Sequence, residues 1–152
     1  MGKYLVLITF LIFCQLGLVS ADSADDTGYV GSKTCSGCHE KQYATFKESS
    51  RKAHSWDSVA IMADKLKDQE IKLCFQCHTT GYGKKGGFVS KETTPDLAEV
   101  GCEACHGPGK QHAESGNPTS IKRPENETCS TCHNAQRSED FGFKPLACAG
   151  AH

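Results

Sequence analysis

The pentapeptide Cys-x-x-Cys-His occurs four times in this chain of 152 residues. Its copies are CSGCH at 35–39, CFQCH at 74–78, CEACH at 102–106 and CSTCH at 129–133. Two thiols at this spacing reach the two vinyl groups of one haem and form thioethers, and the adjoining histidine becomes the proximal ligand of the iron. The sequence therefore predicts four covalently bound haem c groups and a redox function.

The predicted attachment residues are the eight motif cysteines: Cys35, Cys38, Cys74, Cys77, Cys102, Cys105, Cys129 and Cys132. The predicted proximal ligands of the iron are His39, His78, His106 and His133. A zinc ribbon or a thioredoxin-like dithiol also uses Cys-x-x-Cys pairs. Neither alternative explains why a histidine follows every pair, so we favour haem.

The first residues of the chain resemble an export signal. Lys3 supplies a positive charge, residues 4–19 are apolar, and Val19-Ser20-Ala21 has the small residues of a cleavage site. We expect residues 1–21 to be a signal peptide and residues 22–152 to be one tetrahaem cytochrome c domain with no membrane span. The predicted location is the periplasm or the cell exterior, where c-type haem is attached.

The composition indicates a small fold that lacks a large aliphatic core. The 17 Lys and Arg nearly balance the 18 Asp and Glu, which gives no reason to expect binding to nucleic acid. We predict a mostly α fold with extensive loops, a small multihaem c-type cytochrome fold in which the haems form the core. Periodicity predicts helices over 39–54 and 57–72 and from Cys129 to near Ser138, with a brief strand at Phe88-Val89.

The histidine count limits how the irons can be ligated. Four irons with two imidazoles each would need eight histidines, and the chain has seven. The three outside the motifs are His54, His112 and His152, which we predict to be distal ligands. One iron must therefore be five-coordinate, use a weaker ligand such as Met62, or take a ligand from a partner.

Beyond the motifs, the chain resembles the tetrahaem cytochrome c-554 family over roughly 29–115. The resemblance lies in the segments KTCSGCHEKQYATFKESSRKAH, CFQCHTTGYGKKGG and VGCEACHGPGKQHAESG. It implies a mostly helical fold with haems in closely stacked pairs, and a donor such as hydroxylamine oxidoreductase. It also implies that His112 ligates the first haem, that His54 ligates the fourth, and that the haem on His78 is five-coordinate.

The chain departs from this family after the third motif. It lacks the long segment that the family has between the third and fourth motifs, and only nineteen residues follow His133. His152 is consequently the remaining candidate for the distal ligand of the third haem.

Three functions are compatible with these features. The first is an electron carrier between an oxidoreductase donor and a downstream cytochrome acceptor, which we favour. The second is an enzyme that reduces nitric oxide or a similar small molecule at the open haem, although no acid–base cluster is apparent near His78 in the sequence. The third is self-assembly, with the chain as a subunit of an extracellular cytochrome filament.

Overall fold

A computed structural model describes residues 28–137, and this part of the chain is helical. No strand occurs between residues 28 and 137, which confirms the predicted fold class. The helices are α1 (Ser32–Cys35), α2 (Glu40–Ser49), α3 (Ser55–Ala63), α4 (Asp68–His78), α5 (Cys102–His106), α6 (Lys110–Ser115) and α7 (Asn126–Ser130). Short 3-10 helices cover Arg51–His54, Pro95–Leu97 and Pro118–Ser120.

The helix predicted over 39–54 is wrong in its second half, because the chain leaves the α conformation at Ser50. This residue is extended, with φ −95° and ψ 122°, and its hydroxyl accepts the Lys52 N–H at 3.4 Å. A serine side chain that bonds to nearby backbone competes with the helix in this way. The chain then continues as the 3-10 helix Arg51–His54, which changes the direction of the chain before α3.

The single helix predicted over 57–72 is also wrong, because two helices share this segment. Lys67 is extended, and its N–H is accepted by the Glu70 carboxylate at 2.9 Å, which starts α4 with acidic residues in its first turn. A carboxylate here satisfies an unpaired backbone N–H and interacts favourably with the helix dipole. Helices α3 and α4 pack against each other, so the break folds one amphipathic stretch into a hairpin.

Two further predicted elements differ from the structure. Phe88-Val89 is not a strand, because a single backbone bond from Phe88 N–H to the Thr80 carbonyl at 2.9 Å does not extend into a ladder. The last helix covers Asn126–Ser130 rather than starting at Cys129, and Ser138 lies outside the described residues.

The protein core lies around α3 and α4 and is mainly aromatic. The ring centroid of Phe75 is 5.2 Å from that of Phe88, 5.3 Å from that of Tyr82 and 5.8 Å from that of Trp56. We call these four residues the aromatic cluster. Buried Val59, Leu97 and Ala98 complete the core. Burial of each large apolar side chain contributes about 1.5–3 kcal/mol, so this cluster holds the two helices and the loop that follows them together.

Helices in the described region are short. Within residues 28–137 no helix has both the length and the apolar character needed to cross a lipid bilayer.

Candidate haem-binding site

Each Cys-x-x-Cys-His motif adopts a helical turn, in which residues three and four positions apart lie on the same face. The second and third motifs lie wholly within helices, CFQCH at the end of α4 and CEACH as all of α5. In the first motif the His39 N–H donates to the Cys35 carbonyl at 2.9 Å, and in the fourth the His133 N–H donates to the Cys129 carbonyl at the same distance. All eight motif cysteines are thiols rather than disulfides.

Two of the predicted proximal histidines are oriented by backbone carbonyl groups. His78 Nδ1 lies 3.0 Å from the Ser55 carbonyl oxygen, and His106 Nδ1 lies 3.0 Å from that of Lys122. A carbonyl oxygen only accepts hydrogen bonds, so Nδ1 must carry the proton in both rings. The lone pair is then on Nε2, which is the arrangement that a metal-ligating histidine requires.

His39 and His112 face each other in the structure. Their ring centroids are 6.1 Å apart and their ring planes differ by 26°. A metal ion between two imidazole nitrogens, at roughly 2 Å from each, would hold the ring centres about 6 Å apart. His112 Nδ1 lies 2.9 Å from the Asn117 carbonyl oxygen, which leaves Nε2 as its ligating nitrogen. The separation of the two rings thus fits an iron between them, and their joint ligation of the first haem stays a prediction.

The fourth motif lies beside the 3-10 helix that carries His54. Burial, and then the nearby positive charge of Lys52, lower the pKa of the His133 imidazole. His54 is exposed and its Nε2 lies 3.1 Å from the Lys47 carbonyl oxygen. A cavity of about 260 Å³ is lined by His54, Arg51 and the end of α2. The structure therefore brings the chain segment of His54 to the fourth motif, and its ligation there stays a prediction.

A second cavity, of about 490 Å³, lies beside the third motif. It is lined by His106, Gly107 and Pro108 on one side and by residues 119–122 on the other. Because His106 lines this cavity, the space is available to a cofactor attached at the third motif. His152, the predicted distal ligand of the third haem, lies outside the described residues, as does the predicted signal peptide. Met62, the alternative ligand, is on an exposed face of α3.

The four motifs are brought together in space. The Cys35 and Cys102 thiols hydrogen-bond, which raises the pKa of Cys35 and lowers that of Cys102 to about 6. The Cys132 thiol is 3.9 Å from the Gln76 carbonyl oxygen in the second motif. Burial, and then its interaction with the Cys77 thiol, raise the pKa of Cys132 to about 12. The first motif is thus adjacent to the third, and the second to the fourth.

A buried carboxylate joins the third motif to the segment before the first. Glu103 is 2% exposed, and its oxygens accept N–H groups from Val30, from Gly31 at 2.8 Å and from Gly109 at 2.7 Å. We call this arrangement the carboxylate clamp. Gly31 has a φ of 80°, which only glycine adopts without strain, and this conformation turns its N–H towards the carboxylate. No pattern in the sequence marks Glu103, because the residues between the motif cysteines differ from one motif of this chain to the next.

Ser55 and Glu99 were also missed by the analysis of the sequence. The Glu99 carboxylate accepts the Trp56 N–H at 2.8 Å and lies 3.2 Å from the Ser55 hydroxyl, at the start of α3. Both residues lie far from the second motif in the sequence, but Ser55 contacts His78 directly in the structure.

Comparisons with known proteins agree with this geometry. The family described as cytochrome c554 and c-prime matches residues 34–107, and a doubled CXXCH motif matches residues 95–138. Cytochrome c-554 of Nitrosomonas europaea is 31% identical to the chain over an alignment of 147 positions, which covers 85% of the chain and 59% of that protein's length. The structure titled reduced state of cytochrome c554 from the same organism superposes with a TM-score of 0.55 and 27% identity, covering 84% of this chain and 79% of that one.

Proposed function

Since the chain belongs to the cytochrome c-554 family, we propose that it carries electrons between redox proteins through four closely spaced haems. Its cofactors are covalently bound c-type haems, as in that family. The chain spans 59% of the length of the relative cytochrome c-554, so the segments that this relative has in addition do not contribute to the proposal.

The observation that carries the proposal is the contact between different motifs. Cys35 interacts with Cys102, whose N–H donates to the Ser32 hydroxyl at 3.0 Å, and the Cys132 thiol lies 3.9 Å from the Gln76 carbonyl oxygen. Groups attached at these motifs must therefore be near neighbours. Haem, when bound, supplies a one-electron Fe(III)/Fe(II) couple. The chain contributes the spacing of the couples, the imidazoles that ligate them and the surface on which partners dock.

We assign the ligands as follows. The eight motif cysteines attach the four haems, and His39, His78, His106 and His133 are proximal ligands. His112 lies opposite His39, His54 pairs with His133, and His152 ligates the third iron. No histidine then remains for the iron on His78, which is five-coordinate in this assignment because seven histidines cannot saturate four irons.

We further propose that the mature protein works in the periplasm or outside the cell, after removal of residues 1–21. Its donor is an oxidoreductase and its acceptor another cytochrome. Residues 83–86 are exposed and include Lys84 and Lys85, and this part of the loop offers a positive contact for an acidic partner.

Intact mass and a reductive titration of the purified protein test the main proposal. We expect the mass of residues 22–152 plus four haem groups, and uptake of four electrons per chain in a potentiometric titration. Rapid electron exchange with a purified donor should follow in stopped-flow absorbance. A chain with zinc and no haem absorbance, or with haems that do not cycle, would refute the proposal.

The ligand assignment has its own test. His112→Ala and His54→Ala should each convert one low-spin haem to high spin in the electron paramagnetic resonance spectrum while the mass still shows four haems. Glu114→Ala, an exposed change on the same helix as His112, is the control and should leave the spin count unchanged. If both histidine variants match the control, these residues are surface histidines.

A second function is favoured by the histidine shortage alone. An iron with one protein ligand would bind a small molecule such as nitric oxide, and reduction of that molecule would make the protein an enzyme. Steady consumption of nitric oxide with a chemical reductant, at roughly 1 to 10³ per second, would support this function. Binding without turnover would support the carrier.

A further inference from the structure

Two hydrogen bonds connect His78 to a single residue of another helix. The imidazole Nδ1 lies 3.0 Å from the Ser55 backbone oxygen, and the Ser55 hydroxyl donates to the His78 backbone oxygen at 2.8 Å. Ser55 is the first residue of α3, and His78 is the last residue of α4. The hairpin of α3 and α4 therefore sets the position of the ring through both its side chain and its backbone.

The same two-point contact occurs at the third motif with different groups. There the Lys122 backbone carbonyl accepts a hydrogen bond from His106 Nδ1 at 3.0 Å, and the Lys122 backbone N–H donates to the His106 carbonyl at 3.0 Å. At the second motif a serine hydroxyl takes the place of that backbone N–H. Two unrelated segments thus hold two histidines in the same way, which indicates that the contact serves the histidines rather than the packing of one helix.

The carboxylate of Glu99 places a negative charge next to Ser55. The Glu99 carboxylate lies 3.2 Å from the Ser55 hydroxyl and accepts the Trp56 N–H at 2.8 Å. The Ser55 hydroxyl also accepts the Val100 N–H at 2.8 Å. Glu99 is half-buried, so its negative charge is only partly screened by water. The charge lies next to the residue whose carbonyl binds the imidazole.

We propose that Ser55 and Glu99 are positioning residues for His78 and that they lower the reduction potential of the haem on the second motif. The Ser55 carbonyl keeps the proton on Nδ1, which leaves Nε2 free to bind the iron. The Glu99 charge favours Fe(III) over Fe(II), because it stabilises the state with the extra positive charge. This proposal rests on the proposed function, since it requires a haem at the second motif.

Two variants separate the hydroxyl from the charge. Glu99→Gln keeps an oxygen that accepts the Trp56 N–H but removes the charge. We expect the Fe(II)/Fe(III) ratio of one haem in four to rise about tenfold at a given potential, which is 59 mV for one electron. Ser55→Ala removes the hydroxyl, and we expect the signal of one haem in the electron paramagnetic resonance spectrum to broaden or shift. Ser55→Thr retains the hydroxyl and should restore the parent spectrum.

Matched controls lie in the exposed turn that follows Phe88. Ser90→Ala removes a hydroxyl that bonds to Thr93 and to Glu92 in this turn, and Glu92→Gln removes an exposed carboxylate. Neither control should change a potential or a spectrum. All variants are compared as holoproteins, with haem content checked by intact mass.

The outcomes distinguish the two proposals. A parent protein with fewer than four haems, or with haems that do not cycle, overturns the proposed function. A parent with four cycling haems, together with a Glu99→Gln titration that matches Glu92→Gln, overturns the positioning role alone. Equal shifts of all four haems in Glu99→Gln would also overturn it, since they would report a general loss of structure.

Discussion

The second motif and the pair formed by the first and third motifs are held in place by different forces. Around the second motif, Phe75 lies between the two cysteines and belongs to the aromatic cluster, so apolar burial fixes the helix. At the first and third motifs the hydrogen bonds of the carboxylate clamp hold the chain in place, and His39 remains exposed. The second motif is thus built on the protein's own core, whereas the imidazole of the first motif is left at the surface.

This difference bears on folding without haem. In the apoprotein the apolar side chains of the aromatic cluster can still bury one another. The residues of an exposed motif become buried only when a haem is attached to them. We therefore expect the hairpin of α3 and α4 to keep some order in the apoprotein, and the first and fourth motifs to keep little. The predictions below test whether the two regions differ as described.

The largest effect is expected at Phe75. In the holoprotein Phe75→Ala removes a buried ring with three aromatic neighbours and should lower the free energy of unfolding by about 3–5 kcal/mol in denaturant titrations. Leu73→Ala is the matched control, because Leu73 lies on the same helix with 61% of its surface exposed, and should change stability by less than about 0.5 kcal/mol. Equal losses in the two variants would mean that the aromatic cluster is not the core of this region.

A smaller loss is expected at the carboxylate clamp. Glu103→Gln replaces one carboxylate oxygen with an NH₂ group, which cannot accept a hydrogen bond from a backbone N–H. We expect this change to lower the free energy of unfolding by about 1–3 kcal/mol. Hydrogen exchange should speed up at the Val30 and Gly31 amides, because the amide side chain keeps one acceptor oxygen where the carboxylate has two. Glu114→Gln, at an exposed carboxylate 3.9 Å from the Lys110 ammonium, is the control. Unchanged exchange at Val30 and Gly31 in Glu103→Gln would contradict the clamp.

The smallest effect is expected on the outer face of the aromatic cluster. The Lys91 ammonium lies 5.6 Å from the Trp56 ring centroid, and such an exposed cation–π contact contributes about 0.5–1 kcal/mol. Lys91→Met should lower the free energy of unfolding by this amount, while Lys84→Met in the glycine loop should not. A Lys91 variant as stable as the Lys84 variant would show that burial alone accounts for the cluster.

Local patterns predicted the parts of the molecule that depend on neighbours in the sequence. The mostly helical class was predicted in this way, and the structure agrees with it. The break between α3 and α4 was missed, because the apolar spacing continues through Leu66 while a capping contact of Glu70 starts a new helix. Hydrophobic periodicity predicts which residues share a helix face, but it does not predict where a capping contact ends one helix and starts the next.

Long-range contacts explain the residues that sequence analysis did not find. Ser55 and Glu99 are 44 positions apart, and Glu103 bonds to residues 72 and 73 positions earlier. No local pattern marks a serine or a glutamate as a partner of a histidine or of a backbone N–H. The distance between His39 and His112 is of the same kind, since it depends on where the fold places the residue before α2 relative to α6.

The meeting of Cys35 and Cys102 has a consequence for how the protein is assembled. Two thiols within hydrogen-bond reach, one with a pKa near 6, are well suited to oxidise to a disulfide in an oxidising compartment. A chain that became compact before maturation would therefore compete with its own cofactor attachment by forming a cross-link between two motifs. We therefore expect a higher yield of holoprotein when a reductant keeps these thiols available and when the thioethers form before the two motifs approach each other. The order in which the haems are attached and the chain folds should therefore affect how much holoprotein is formed.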